Sequence, residues 1–188
     1  MNIAVYCGST GGKRDIFIKK ALALGKAMGE RGDTLVYGGS NPGMMGAIAD
    51  AVLANKGKVI GVIPDVPVIK ERTHPGLTEC IYTDTMAERK SRMIDLADAF
   101  IAMPGGIGTL DEITEVISLS SLGIVSGAIV FLNTEGYYDG VKELLKNVVF
   151  NGYGRPEYFE RILFSDDPQE IVEFIERCGS AKEQEEKE

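Results

Sequence analysis

Residues 99–112 read AFIAMPGGIGTLDE. An unbroken apolar run, Ala99-Phe100-Ile101-Ala102-Met103, meets Pro104 and a cluster of glycines, and Leu110, Ile113, Val116 and Ile117 then recur at helical spacing. An apolar run of this length without alternation is the mark of a strand buried on both faces. A buried strand that turns through glycines into a helix gathers free backbone N–H groups and the positive end of a helix dipole at one spot. Such a spot binds phosphate. On this reading the first glycines, Gly105 and Gly106, turn the chain with positive φ and let the backbone approach a ligand. Thr109 caps the helix or bonds a phosphate oxygen, and Glu112 stands in the first turn, where the dipole favours its ionised form.

The same design recurs outward from this stretch. Residues 3–9 (IAVYCGS) form a strand ending in Gly8-Ser9, followed by a helical pattern through Ile16, Ala21, Leu24 and Met28 that stops at Gly32. Residues 34–40 (TLVYGGS) are a second strand ending in glycines, with a helix from Met44-Met45 through Leu53, closed near Gly57. Residues 58–64 (KVIGVIP) are a third strand, and residues 65–79 form a long Pro-containing loop that carries His74, the only histidine. A short strand over 81–85 leads to a helix over 86–97, whose apolar stripe is Met86, Met93 and Ala97, flanked by Ile94 and bordered by Arg89 and Lys90. Beyond the Gly-rich helix come a strand over 127–133, a helix over 141–150, a short helix within 155–163 and a strand near 162–164. A last helix starts at Asp167-Pro168 and passes through Ile171, Phe174 and Ile175. Apolar strands alternating with amphipathic helices specify an α/β protein: a Rossmann-like, doubly wound parallel sheet with helices on both faces. Its ligands bind beyond the carboxyl ends of the strands, where Gly8, Gly38-Gly39 and Gly105-Gly106 all fall.

The 188 residues suffice for one compact domain, expected over 1–178, with residues 179–188 as an acidic, disordered tail. A net charge of −8 argues against nucleic-acid and anionic-membrane partners, so a phosphate must be caught locally. Three widely spaced cysteines without a CxxC pair are expected as reduced thiols in the cytoplasm. No apolar run approaches the roughly 20 residues that span a bilayer. A lone histidine without neighbouring ligands at metal spacing makes His74 a structural loop residue and leaves no metal site. CGSTGGKR at 7–14 resembles a P-loop, but Cys7 replaces its first glycine and Arg14 its magnesium-binding Ser or Thr. A dinucleotide fingerprint fails as well, because Gly106 and Gly108 are followed by Asp111 where a third glycine is needed, so no cofactor is expected.

Joined together, VYCGS (5–9), LVYGGSNPGMMG (35–46), IADAV (48–52), GVIP (61–64), ERTHPGLTE (71–79), ERKSRM (88–93), LADAFIAMPGGIGTLDE (96–112) and GYYD (136–139) are far more specific than any one alone. Over about residues 2–175 the chain resembles the LOG ("lonely guy") family of cytokinin riboside 5'-monophosphate phosphoribohydrolases. Members also carry the label "possible lysine decarboxylase", which these residues do not support, since no lysine or aspartate stands in a recognisable pyridoxal phosphate setting. The resemblance implies hydrolysis of the N-glycosidic bond of an adenosine-type 5'-monophosphate, preferably N6-substituted, to free base and ribose 5-phosphate. That chemistry passes through an oxocarbenium-like state and requires a fixed anion near the sugar, a water and a phosphate clamp.

Glu112 suits the anion or water-activating base. By carry-over Arg89 pairs with Glu112 or the substrate, and the backbone of Gly105, Gly106, Ile107, Gly108 and Thr109 holds the 5'-phosphate. The resemblance further implies substrate contacts from Glu71 and Lys90, and places Ser118 where relatives commonly have threonine. Ser9 and Gly39, at the ends of the first two strands, complete the expected substrate-binding set. The family commonly forms homodimers, and a dimer or higher homo-oligomer is expected here. Two departures stand out: Ala87 replaces the usual histidine of MAERK, and ISLSSLGIVSG at 117–127 replaces a segment usually bearing Trp, Gln and His. Their effect is expected on the base pocket, which brings plain AMP or another nucleotide into consideration. The alternative is a non-catalytic nucleotide or molybdenum-cofactor carrier-type binding protein, which shares the fold and a phosphate-clamping turn but does not need the Arg89 and Glu112 pair.

Overall fold

The computed structural model describes residues 1–185 and, among these, all side chains except those of residues 160 and 180–185. Seven strands, β1 Asn2–Tyr6, β2 Thr34–Tyr37, β3 Lys58–Pro64, β4 Glu79–Thr83, β5 Ala99–Ala102, β6 Ile129–Leu132 and β7 Ile162–Ser165, form one sheet in the order β4-β3-β2-β1-β5-β6-β7. Every neighbouring pair is parallel; Ile3, for example, lies opposite Leu35 on one side and Ala99 on the other. The inner strands read as apolar runs because both faces are covered, and Ile3 through Tyr6, Leu35 through Tyr37 and Ala99 through Met103 are all buried. The strand order runs outward in both directions from β1 and β5, so the topological switch point lies between them.

The helices divide between the faces. α1 Asp15–Glu30, α2 Gly43–Ala54 and α8 Pro168–Glu185 contribute Leu24, Met28, Ile48, Val52, Ile171 and Ile175 to one core layer. α4 Met86–Leu96 and α5 Ile107–Ser121 contribute Met93, Ile94, Ile113 and Val116 to the other, joined by Tyr138 just before α6 Asp139–Phe150. Two short helices, α3 Pro67–Lys70 and α7 Pro156–Glu160, and a 3-10 turn at Thr134–Gly136 are the remaining helical elements among the described residues. The long 65–79 loop therefore holds one turn of helix started by a proline, whose missing N–H suits that position. No helix among the described residues is long and apolar enough to cross a membrane.

Three local expectations are corrected. α8 continues past Gly179 to Glu185, since Ala, Lys, Glu and Gln are good helix formers; residues 186–188 of the expected tail lie outside the described residues. In α4, Met86 opens the helix half-exposed, and Arg89 takes the buried place one turn later beside Met93 and Ile94. None of the glycines at 105, 106 and 108 has positive φ.

Candidate active site

The turn after β5 is built by packing. A Cβ on Gly105 would overlap the Thr109 hydroxyl and lie 2.9 Å from the Gly8 nitrogen, so the close approach of β1, β5 and α5 demands glycine there. The Gly8 N–H donates to the Pro104 carbonyl (3.1 Å), and the Met103 N–H to the Tyr6 carbonyl (2.9 Å), which carries the β1–β5 pairing beyond the sheet. A Cβ on Gly106 or Gly108 would meet nothing within 4 Å. These two glycines thus border open space.

α5 starts at Ile107 with Gly106 as its N-cap, and no side chain caps it. Thr109 is the third helical residue, buried against Gly105, rather than the cap expected from the sequence. The first-turn N–H groups of α5 therefore have no side-chain acceptor among the described residues, and Ile107 is 81% exposed at the rim. Because the helix starts this early, Glu112 is its sixth residue, in the second turn; the expected first-turn place is overturned, and the dipole is no longer what holds its charge.

What holds Glu112 is Arg89. Thr85 caps α4 by accepting from the Glu88 N–H (3.1 Å), while Glu88 reaches back to the Asp84 N–H (2.9 Å), a reciprocal arrangement that fixes where the helix begins. One turn in, the Arg89 Nε donates to the Val62 carbonyl of β3 (3.2 Å), and Nη1 donates to Glu112 Oε1 (2.5 Å). A Cβ on Gly38 would collide with the guanidinium, so the GG turn after β2 makes room for it. Both partners are buried, Arg89 at 6% and Glu112 at 8% exposure. Burial pushes the Glu112 carboxyl above its ordinary range, and the Arg89 charge and hydrogen bond pull against that shift without cancelling it. The result is a carboxylate that stays fixed and is more basic than an exposed one. Tyr6, at the end of β1, feels the same charge: burial first and then Glu112 raise its phenol.

The other expected residues divide. Gly39, with φ +73°, sits against Ile63, where a Cβ would overlap the side chain. Its carbonyl accepts from the His74 N–H (2.8 Å), Ser40 bridges to Thr73, and the Asn41 N–H donates to the Arg72 carbonyl (2.7 Å), so the segment after Glu71 is stitched to the GG turn. Glu71 is exposed beside that seam. Ser9 is exposed in the loop after β1, which lies across the start of α2: a Cβ on Gly43 would be 2.6 Å from the Ser9 carbonyl. Lys90 bridges α4 to α5, with its Nζ 2.8 Å from Glu115 Oε2 in an ion pair and 3.0 Å from Asp111 Oδ2 in a hydrogen bond; these two contacts raise its pKa. Ser118 is exposed, six residues beyond Glu112, about 9 Å along the α5 axis and a third of a turn round. The structure does not bring it to the turn.

His74 is buried and structural in its contacts. The Gly76 N–H donates to Nδ1 (3.0 Å), which leaves Nε2 to donate to Asp50 (3.0 Å). Among the described residues no group of three or more His, Cys, Asp or Glu side chains is placed to hold a metal ion. Two residues that carry no role in the sequence reading touch the turn. The Tyr138 hydroxyl donates to the Met103 carbonyl (2.7 Å) and the Tyr137 hydroxyl to the Gly105 carbonyl (2.5 Å). Their signal in the sequence is the GYYD stretch at 136–139, which carries the resemblance but points to no contact with the turn.

A helix start without a side-chain cap at the switch point, and a buried Arg–Glu pair anchored on that same helix, mark a Rossmann-type α/β protein. Residues 45–175 match the family model described as "Possible lysine decarboxylase". Over 170 residues the chain is 38% identical to a cytokinin riboside 5'-monophosphate phosphoribohydrolase of Mycobacterium tuberculosis, covering 90% of each. It is 39% identical to the Oryza sativa subsp. japonica protein of that name, over 90% of this chain and 70% of the relative. Against an Arabidopsis thaliana member it is 37% identical, over 93% of this chain and 80% of the relative. The chain belongs to this family of cytokinin riboside 5'-monophosphate phosphoribohydrolases, the LOG family. Among solved structures, the molybdenum cofactor binding protein of Rippkaea orientalis superposes with a TM-score of 0.70 at 20% identity, covering 94% of this chain and 95% of that one. A Moco carrier protein of Chlamydomonas reinhardtii gives 0.68 at 16%, covering 96% and 98%. These two share the fold.

Proposed function

We propose that the protein hydrolyses the N-glycosidic bond of adenosine 5'-monophosphates, N6-substituted ones among them, giving the free base and ribose 5-phosphate. The observation that carries this reading is the buried Arg89–Glu112 pair beside the uncapped start of α5. From Ile107 to Glu112 the helix rises about 7.5 Å, of the same order as the span from phosphorus to C1' in a ribose 5-phosphate. With the 5'-phosphate on the N–H groups of Gly106, Ile107 and Gly108, the anomeric carbon comes within reach of the Glu112 carboxylate. As the C1'–N9 bond lengthens, positive charge grows on the sugar, and Glu112 stabilises it. Water adds at C1' and gives its proton to Glu112, and that proton, passed on through solvent, ends on the nitrogen of the departing base, which restores the carboxylate. Arg89 favours the ionised form of the carboxylate against its burial and holds it in place. The names of the curated relatives support the substrate class.

The base is held more loosely in this reading than in relatives. Ala87 is exposed on α4, and the altered segment ends α5 with Leu122 and Ile124 exposed. Plain AMP is accordingly a substrate as well. We further propose that the protein is cytoplasmic and a homodimer, the dimer supported by the exposed apolar side chains of Met86 on α4, Ile107 on α5 and Leu122 and Ile124 just beyond it. Light scattering at the mass of two chains agrees with it, and one chain rules it out. The activity is tested by incubating the protein with AMP and N6-isopentenyl-AMP and separating products by chromatography. Free base and ribose 5-phosphate should appear in equal amounts, and an absence of base from both nucleotides overturns the reading.

A further inference from the structure

We infer that Tyr137 is a positioning residue that sets the pitch of the phosphate turn and so selects 5'-phosphorylated over unphosphorylated ligands. The inference rests on the placement of the phosphate given above. In a planar trans peptide the C=O and N–H groups point in opposite directions. The Gly105 carbonyl accepts from the Tyr137 hydroxyl, so the Gly106 N–H on the same peptide is directed away from the tyrosine. Among the described residues no protein acceptor takes the Gly106, Ile107 or Gly108 N–H. Thr109 packs on the Gly105 side of this peptide, while beside Gly106 and Gly108 a side chain would meet only open space. Tyr137 supplies a restraint from outside.

The tyrosine is itself held from several sides. Glu135, in the left-handed region at φ 52°, pairs with Arg14 of the loop after β1. Asn133 accepts from the Tyr138 N–H (2.6 Å) and donates to Asp139 (2.8 Å). The Tyr137 ring meets Phe17 of α1 edge-on at 5.8 Å and Tyr138 at 4.9 Å. The segment after β6 thereby ties the loop after β1, through Glu135, and the start of α1 and the turn after β5, through Tyr137. Tyr138, buried at 1% exposure on the Met103 carbonyl, anchors the strand end below, while Tyr137, 47% exposed, stands at the rim, where the turn meets a ligand.

The test is Tyr137→Phe in the full chain, which removes the donor and keeps the ring and its packing. Calorimetry with ribose 5-phosphate should show about threefold to tenfold weaker binding, the scale of one lost hydrogen bond. Affinity for adenosine should not move, and KM for AMP should rise by the same factor with kcat retained, the pattern of a lost ground-state contact. Unchanged ribose 5-phosphate affinity overturns the inference, as does loss of AMP and adenosine binding by one common factor, or a wild-type protein that does not bind ribose 5-phosphate. If wild type releases no base from any nucleotide and Tyr137→Phe still loses ribose 5-phosphate, the hydrolase reading falls and the role of Tyr137 stands. If base is released and Tyr137→Phe binds as wild type does, the reverse holds.

Discussion

Replacing Arg89 with methionine keeps most of the side chain's volume and removes its charge, which leaves Glu112 buried without a counter-ion. Breaking a buried pair in this way costs about 3–5 kcal/mol. At about 2–4 °C per kcal/mol for a chain of this size, the melting temperature should fall by about 6–20 °C at neutral pH. The loss depends on pH, and its sign follows from the direction of the Glu112 shift. Burial already raises this carboxyl in the folded protein, and Arg89 opposes the shift, so without Arg89 the native value rises further. A carboxyl that binds its proton more tightly when folded favours the native state below its unfolded pKa. That stability is lost as pH climbs through the raised native value. The gap between wild type and Arg89→Met is therefore smallest near pH 4–5, where the variant's Glu112 is protonated, and widens towards pH 8. Adding Glu112→Gln to Arg89→Met should recover much of the loss at pH 8, a coupling that a double-mutant cycle by calorimetry reads directly. An equal loss at pH 5 and pH 8, with no recovery in the double variant, would refute the reasoning.

Gly105→Ala forces a Cβ onto the Thr109 hydroxyl and should destabilise by about 1–3 kcal/mol, measured by thermal melting. Gly106→Ala meets open space but places alanine at the N-cap of α5, so it should cost only about 0.5–1 kcal/mol of stability, yet bind ribose 5-phosphate more weakly because the new methyl stands where the ligand does. His74→Phe strands the Gly76 N–H and frees Asp50, so chemical denaturation should show a loss of about 1–3 kcal/mol. Burial, and next the nearby Glu112 charge, raise the Cys7 thiol; mass spectrometry after treatment with a thiol reagent at pH 8 should find Cys7 unmodified in the folded protein and modified once it is unfolded.

The fold was legible because a doubly wound sheet writes its strands as apolar runs and closes them with glycines. Val59, Val62 and Ile63 of β3 fall within the bounds that the sequence suggests. The pairing of Arg89 with Glu112 was legible only through joint motifs and the resemblance they carry. On its own, Arg89 borders an apolar stripe like any surface charge, and its burial follows from contacts with Val62 and Glu112, far off in the chain. The sequence sets the start of α5 too late because its cap is a glycine, which leaves no Ser, Thr or Asp to mark the position. Gly105 was expected for its freedom of φ, whereas packing against Thr109 and Gly8 is what requires it. Tyr137 and Tyr138 act on the turn through hydroxyl contacts across more than thirty residues, which no local pattern encodes.

The central claim is that Glu112 acts on a ribosyl bond while the turn before it holds the phosphate. It is tested most directly by measuring base release from AMP and N6-isopentenyl-AMP with wild type and Glu112→Gln side by side, after confirming that both are folded. The account predicts release by wild type and a fall of about 10²–10⁴-fold in the variant, the scale of a lost general base. Undiminished release by Glu112→Gln would contradict it.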